Sequence, residues 1–74
     1  MTDDMQAKID NWFSHHPPTT AEQVATYQEI REAGKRLAET IAEFTPPSAD
    51  QTAAIRKVRE AVMTANAAIA CGGK

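Results

Sequence analysis

The sequence predicts an all-α protein in which a short N-terminal helix precedes a long antiparallel helical hairpin, assembled as a homo-oligomer. Three observations lead to this fold class. Apolar residues recur at steps of three and four over two long stretches, which is the spacing of a helical stripe. Proline pairs at 17–18 and 46–47 separate the helical stretches, because proline disfavours helix. No stretch of alternating apolar and polar residues indicates a strand.

The first predicted helix covers about residues 4–13. Asp3 or Asp4 is its expected N-cap, since an acidic group suits the positive end of the helix dipole. The apolar residues expected on one side are Met5, Ile9, Trp12 and Phe13. A helix of roughly three turns is too short to be stable alone, so we expect it to dock on the rest of the chain.

The second predicted helix covers about residues 21–44 and begins at a capping box formed by Thr20 and Gln23. Its apolar positions step by three or four along the whole length: Val24, Tyr27, Ile30, Gly34, Leu37, Ile41 and Phe44. This pattern is the two-per-heptad seam of a coiled coil. A glycine inside a helix costs about 1 kcal/mol relative to alanine, so Gly34 predicts close contact with another helix backbone.

The third predicted helix covers about residues 49–70, with Ser48 and Gln51 as a second capping box and Gly72 as its stop. Its apolar stripe consists of Ile55, Val58, Val62, Ala65 and Ile69. The short connection before this helix predicts that the two long helices run antiparallel. Residues 1–74 are therefore predicted to form a single helical domain, with more apolar faces than one helix pair can cover.

The composition predicts that the chain assembles with copies of itself. A chain of 74 residues with 5% aromatic side chains builds only a small core, and such scaffolds are stabilised by disulfides, a metal or oligomerisation. The single cysteine, Cys71, excludes an intrachain disulfide and fits a reducing compartment. Without a basic leader or an apolar run long enough to cross a bilayer, the sequence predicts a cytoplasmic protein.

The connection at 14–20, SHHPPTT, contains the candidate ligand-binding residues His15 and His16. Adjacent residues of an extended segment point to opposite sides, so the pair does not predict a metal site, and no cofactor is expected. We interpret the imidazoles as hydrogen-bonding or stacking groups, with a solvated turn as the alternative. Because no nucleophile, base and orienting group come together in the sequence, we do not expect an enzyme.

Arg31 and Lys35 lie one turn apart on the second predicted helix and can reach one phosphate together. The alternative interpretation is ordinary surface pairing with neighbouring glutamates. Arg56 and Arg59 on the third helix allow the same two interpretations. The net charge of −2 gives no long-range attraction for DNA or RNA polymers, so any anion site has to be local.

Three segments carry a resemblance to a known family: WFSHHPP at 12–18, YQEIREAG at 27–34 and IRKVREAVMTANAAIA at 55–70. They resemble the phage anti-CBASS cyclic-oligonucleotide sponges, helical-hairpin relatives of the Thoeris anti-defence sponges. The resemblance implies a homohexamer, a trimer of dimers, that sequesters cyclic di- or trinucleotide immune messengers without cleaving them in the bacterial cytoplasm. It implies a pocket between protomers, base stacking by His15 or His16, and phosphate contact by Arg31, with Lys35 beside it.

A structural or protein-binding helical hairpin, such as an antitoxin or an assembly chaperone, is the alternative from another class. In that case the apolar stripes would receive a different chain. A DNA-binding helix-turn-helix fits less well, because the charge balance is acidic and no recognition helix stands out.

Overall fold

The computed structural model describes residues 2–74, which contain three α-helices and no strand. The helices are α1 (Asp3–Trp12), α2 (Ala21–Phe44) and α3 (Ala49–Ala70). The predicted all-α class is confirmed for these residues. The bounds of α2 and α3 are those expected from the sequence, whereas α1 begins and ends one residue before the predicted range 4–13.

The N-cap of α1 is Thr2, and the prediction of Asp3 or Asp4 was wrong. The Thr2 hydroxyl oxygen accepts a hydrogen bond from the Met5 backbone N–H at 3.1 Å. Both acidic residues therefore fall in the first turn, where they still face the positive end of the helix dipole. Acidic side chains suit the cap and the first turn alike, so their presence did not fix which residue caps the helix.

The caps of the two long helices are the predicted ones. Thr20 Oγ1 accepts from the Gln23 backbone N–H, and Ser48 Oγ accepts from the Gln51 backbone N–H, both at 3.1 Å. Each hydroxyl satisfies one of the N–H groups that a helix start leaves without an internal partner.

Gln51 also ties the start of α3 to the end of α2. Its Nε2 donates to the backbone carbonyls of Ala42 and Thr45, at 3.2 and 3.0 Å. One side chain thus satisfies two carbonyls, one in the last turn of α2 and one at its C-cap Thr45, where intrahelical partners run out. The conformation of the connection at 45–48 is therefore stabilised by hydrogen bonds, in addition to the restriction that Pro46 and Pro47 place on the backbone.

We expect Gln51→Ala to lower the free energy of unfolding by about 1 kcal/mol, because two exposed hydrogen bonds are lost while alanine is the better helix former. Urea unfolding followed by circular dichroism measures the change. The matched control is Gln28→Ala, since Gln28 reaches only Glu32 of its own helix, at 3.4 Å. Equal destabilisation by the two substitutions would contradict a special role for Gln51.

α2 and α3 pack against each other, and the contacting residues follow opposite order along the two helices. Next to the connection, Ala42 of α2 meets Gln51 of α3. Midway along, Gly34 faces Val58 and Val62. A Cβ atom at Gly34 would collide with a methyl group of Val62, so that methyl occupies the space that the glycine leaves open. The predicted close contact at Gly34 is thus made by a valine side chain.

α1 is held at its C-terminal end by the residues that follow α3. Asn11 Nδ2 donates to the carbonyl of Cys71 at 3.1 Å, and Trp12 Nε1 donates to that of Lys74 at 3.2 Å. The backbone turns at Gly72 and Gly73, whose φ angles of 67° and 77° lie in the left-handed region that glycine adopts without strain. α3 ends at Ala70 with Cys71 as its C-cap, so Gly72 takes the left-handed position just past the helix end, where the sequence predicts the stop.

Residues 2–74 form a thin layer of helices without a core. Its extents are 47 × 34 × 15 Å, and no residue within 2–74 is fully buried. The accessible surface is 5913 Å², against roughly 4,500 Å² for a compact chain of this mass. Large apolar side chains remain exposed: Met5, Trp12, Phe13, Val24, Leu37, Phe44 and Met63. None of the helices described in residues 2–74 combines the length and apolar character that a membrane span requires.

Candidate functional site

A pocket of about 270 Å³ lies where the connection between α1 and α2 crosses the N-terminal part of α2 and the end of α3. We call it the histidine pocket, and it is lined by His15, His16, Pro17, Thr19, Gln23, Tyr27 and Ala70. The structure therefore brings the two predicted histidines together beside a third ring, that of Tyr27. Three flat side chains in one pocket are suited to stacking on a planar ligand.

His16 is fixed in this pocket by a hydrogen bond to the end of α1. Its Nε2 lies 2.6 Å from the carbonyl oxygen of Asn11. A carbonyl oxygen only accepts, so Nε2 carries the proton and donates, which leaves Nδ1 for another partner. His16 is half-buried. Asn11 in turn donates to Cys71, so this ring is positioned relative to both α1 and α3.

His15 has a different environment. It is exposed, and the hydrogen bonds found within residues 2–74 do not include its ring. Its imidazole can therefore turn toward a ligand without giving up an existing contact. The sequence offered the two histidines as alternatives for base stacking. In the structure the His16 ring is held by a hydrogen bond, whereas the His15 ring has none among the described residues.

Tyr27 and Gln23 are pocket residues that the sequence reasoning placed elsewhere. The sequence predicts a position in the apolar seam of α2 for Tyr27 and only a capping-box position for Gln23. They lie four residues apart, one turn on the same side of a helix, directly after the histidine-containing connection. That spacing is the signal that could have grouped them with the histidines.

A second concave surface, the basic groove, lies farther along α2 and has a volume of about 250 Å³. Arg31 and Lys35 from α2 and Arg59 from α3 supply its three cationic side chains. Its apolar part is formed by Gly34, Ala38, Ile55, Val58, Val62 and Met63. All three cations are exposed, so in the single chain solvent screens their attraction for an anion.

The histidine pocket and the basic groove are neighbouring but separate surfaces of the chain. Tyr27 and Arg31 are four residues apart on α2, which corresponds to a rise of roughly 6 Å along the helix. His15 and His16 line the histidine pocket, and Arg31 and Lys35 line the basic groove. The structure thus pairs the candidates as the sequence grouped them, and Tyr27 and Arg31 bring the two surfaces to adjacent turns of α2.

A larger concave surface lies between α1 and residues 71–74, with a volume of about 830 Å³. It contains Asp4, Lys8 and Lys74, and no aromatic ring lines it. Charges of both signs and the lack of a stacking surface make it a poorer site for a base or a phosphate than the two pockets on α2. Among residues 2–74 no group of three metal-ligating side chains occurs, at Cys71 or elsewhere.

Comparison with known protein families gives one match. Residues 5–70 match the model of the Acb2/Tad1 hairpin domain, a range that contains both the histidine pocket and the basic groove. No curated protein and no solved structure matches the chain. Because the family match covers α2, α3 and most of α1, the chain belongs to the Acb2/Tad1 hairpin family, which is the anti-CBASS sponge family that its sequence resembles.

Proposed function

We propose that the protein binds cyclic di- or trinucleotide messengers of CBASS-type immunity and sequesters them, without cleavage, in the cytoplasm of the infected bacterium. Membership of the Acb2/Tad1 family indicates a phage anti-defence sponge. The observation that supports the ligand class is the placement of a ring-lined pocket and a groove with three cationic side chains on adjacent turns of α2.

The chemistry of the two surfaces matches the two parts of such a ligand. The rings of His15, His16 and Tyr27 offer flat faces, and stacking on a base contributes roughly 1–3 kcal/mol. Arg31 can bind a phosphate through two parallel N–H groups, and Lys35 adds a point charge. Local cations of this kind allow a chain of net charge −2 to hold a ligand that carries two phosphates.

Size and exposure support a site shared between copies. The histidine pocket has a volume of about 270 Å³ and the basic groove one of about 250 Å³. Both are smaller than typical small-molecule sites, which have volumes of roughly 300–1,000 Å³. The antiparallel helical hairpin of one protomer leaves its apolar faces open, and a second copy would cover them and complete the pocket. A two-fold axis would supply every ring and cation twice. We propose a homohexamer, a trimer of dimers, in which residues 1–74 are one domain.

Isothermal titration of the purified protein with cyclic di-AMP, cyclic di-GMP, cyclic GMP–AMP and cyclic tri-AMP tests this function. We expect heat of binding with at least one of them, and recovery of the intact ligand after the protein is denatured by heat. The matched linear dinucleotides are the control, because they carry the same bases without the closed ring. Absence of heat with every cyclic ligand, for a sample whose light scattering shows an oligomer, would contradict the proposal.

The exposed aromatic residues Phe13 and Phe44, 84% and 77% accessible, also fit a hairpin that binds another protein. An antitoxin or an assembly chaperone would present such side chains to its partner. Light scattering separates the two functions. A closed homo-oligomer that forms without any partner favours the sponge, and a monomer that assembles only with a different chain favours the alternative.

A further inference from the structure

We propose that Gln23 selects the base in the histidine pocket, favouring the carbonyl-bearing bases guanine and uracil over adenine. The side-chain amide of Gln23 is held so that it offers the ligand only hydrogen-bond donors. This inference rests on the proposed function, since it concerns the same pocket.

The orientation of the Gln23 amide follows from its partner, Thr19. Gln23 Oε1 lies 2.9 Å from the backbone nitrogen of Thr19 and 3.2 Å from its hydroxyl oxygen. A backbone N–H only donates, so the oxygen of the amide, and not its nitrogen, has to face Thr19. Oε1 accepts two hydrogen bonds there, and both of its lone pairs are used.

The amide nitrogen is consequently free for a ligand. Within residues 2–74 the side-chain hydrogen bonds of Gln23 are the two that its oxygen accepts, so both N–H groups of Nε2 are left without a protein acceptor. Gln23 lines the histidine pocket beside Tyr27 and is half-exposed. Its backbone N–H is held by the cap residue Thr20 at 3.1 Å. With both ends fixed, the donors lose little freedom when a ligand binds.

A donor-only amide distinguishes the bases. Glutamine usually recognises adenine with both halves of its amide, accepting from the N6 amino group and donating to N7. In Gln23 the accepting half is engaged by Thr19, so this arrangement would require both of those bonds to break. The N–H groups of Nε2 instead match the O6 and N7 acceptors of guanine or a carbonyl of uracil. Adenine offers these donors N7 alone at the same edge, because its N6 amino group would place donor against donor.

The test compares cyclic di-GMP, cyclic di-UMP and cyclic di-AMP by isothermal titration. We expect the wild-type protein to bind the first two about tenfold more tightly than cyclic di-AMP, within the range of one good base-specific contact. In Gln23→Glu a carboxylate oxygen takes the place of the amide oxygen and can still accept both hydrogen bonds from Thr19, so the helix start is preserved. The second carboxylate oxygen replaces the donating amide, and the preference should fall to about onefold or reverse.

Two further variants make the result specific. Gln23→Met keeps the length of the side chain without adding charge, and it should also abolish the preference. Gln28→Glu makes the same change of charge on α2 outside the histidine pocket, and it should leave the preference intact. The ratio of affinities is the readout, because an added negative charge weakens binding of every phosphate ligand.

Equal affinities in the wild-type protein, or a ratio unchanged by both Gln23 variants, would overturn the role of Gln23 and leave the sponge function standing. If cyclic ligands show no binding at all, the proposed function fails, and this inference with it.

Discussion

Arg31→Ala is expected to weaken binding of a cyclic dinucleotide by about 1.5–3 kcal/mol, or roughly 10- to 150-fold. A hydrogen bond to a charged phosphate is stronger than one between neutral groups, and an arginine can make two in parallel. Arg31 lies one helical turn from Tyr27 and lines the basic groove with Lys35 and Arg59. Isothermal titration of the wild-type and variant proteins measures the difference.

The control for Arg31 is Arg36→Ala, an identical loss of charge on an exposed residue of α2 that does not line the basic groove. Its effect should be small and should vanish at high salt, because only a screened, distant charge is removed. Arg31→Lys keeps the charge and loses the forked geometry, so an intermediate affinity is expected. If Arg31→Ala binds as tightly as the wild-type protein, Arg31 has no contact with the phosphate.

The second large effect is expected for Gly34→Leu, which should separate α2 from α3 and lower the free energy of unfolding by about 3 kcal/mol. A side chain at this position meets Val62, whose branched Cβ leaves it few other rotamers. Because no residue in the described range 2–74 is fully buried, little other packing is available to compensate. Thermal unfolding followed by circular dichroism measures the loss, and light scattering reports whether assembly survives.

Gly34→Ala and Val62→Ala provide the controls for this contact. Gly34→Ala should destabilise less, because the collision with Val62 is partly offset by about 1 kcal/mol of better helix propensity. Adding Val62→Ala to Gly34→Ala should recover stability, so the two substitutions should be strongly non-additive. If Gly34→Leu unfolds at the same midpoint temperature as the wild-type protein, packing of α2 on α3 does not depend on this close approach.

The sequence alone was sufficient to predict structural features that depend on residues close together along the chain. Thr20 and Ser48 cap the helices as predicted. At the start of a helix a hydroxyl reaches the backbone N–H three residues later, so the cap depends only on these few residues. Gly34 signalled a close contact because glycine is costly inside a helix. At α1 the local signal was ambiguous, since Thr2, Asp3 and Asp4 are all suitable caps, and only the structure distinguished them.

The candidate site was predictable only in part. Residues on one helix could be grouped by spacing, which gave Arg31 with Lys35. Arg59 joins them from α3, and that depends on how the two helices are rotated against each other, a property that spacing along one helix does not report. The anchoring of His16 by Asn11 likewise depends on the path of the connection.

The family was identified from three short segments and is confirmed by the match over residues 5–70.

The short connection at 45–48 affects which step, folding of the chain or assembly of copies, limits how soon the protein can bind its proposed ligand. Closing so short a loop costs little entropy, so α2 and α3 can pair outward from Gln51 as soon as both are helical, on a time scale of about microseconds to milliseconds. Encounter between copies is a collision whose rate rises with concentration. In the proposed oligomer the delay before the first messenger is captured would therefore be set by how fast the protein accumulates, and hardly at all by how fast each chain folds.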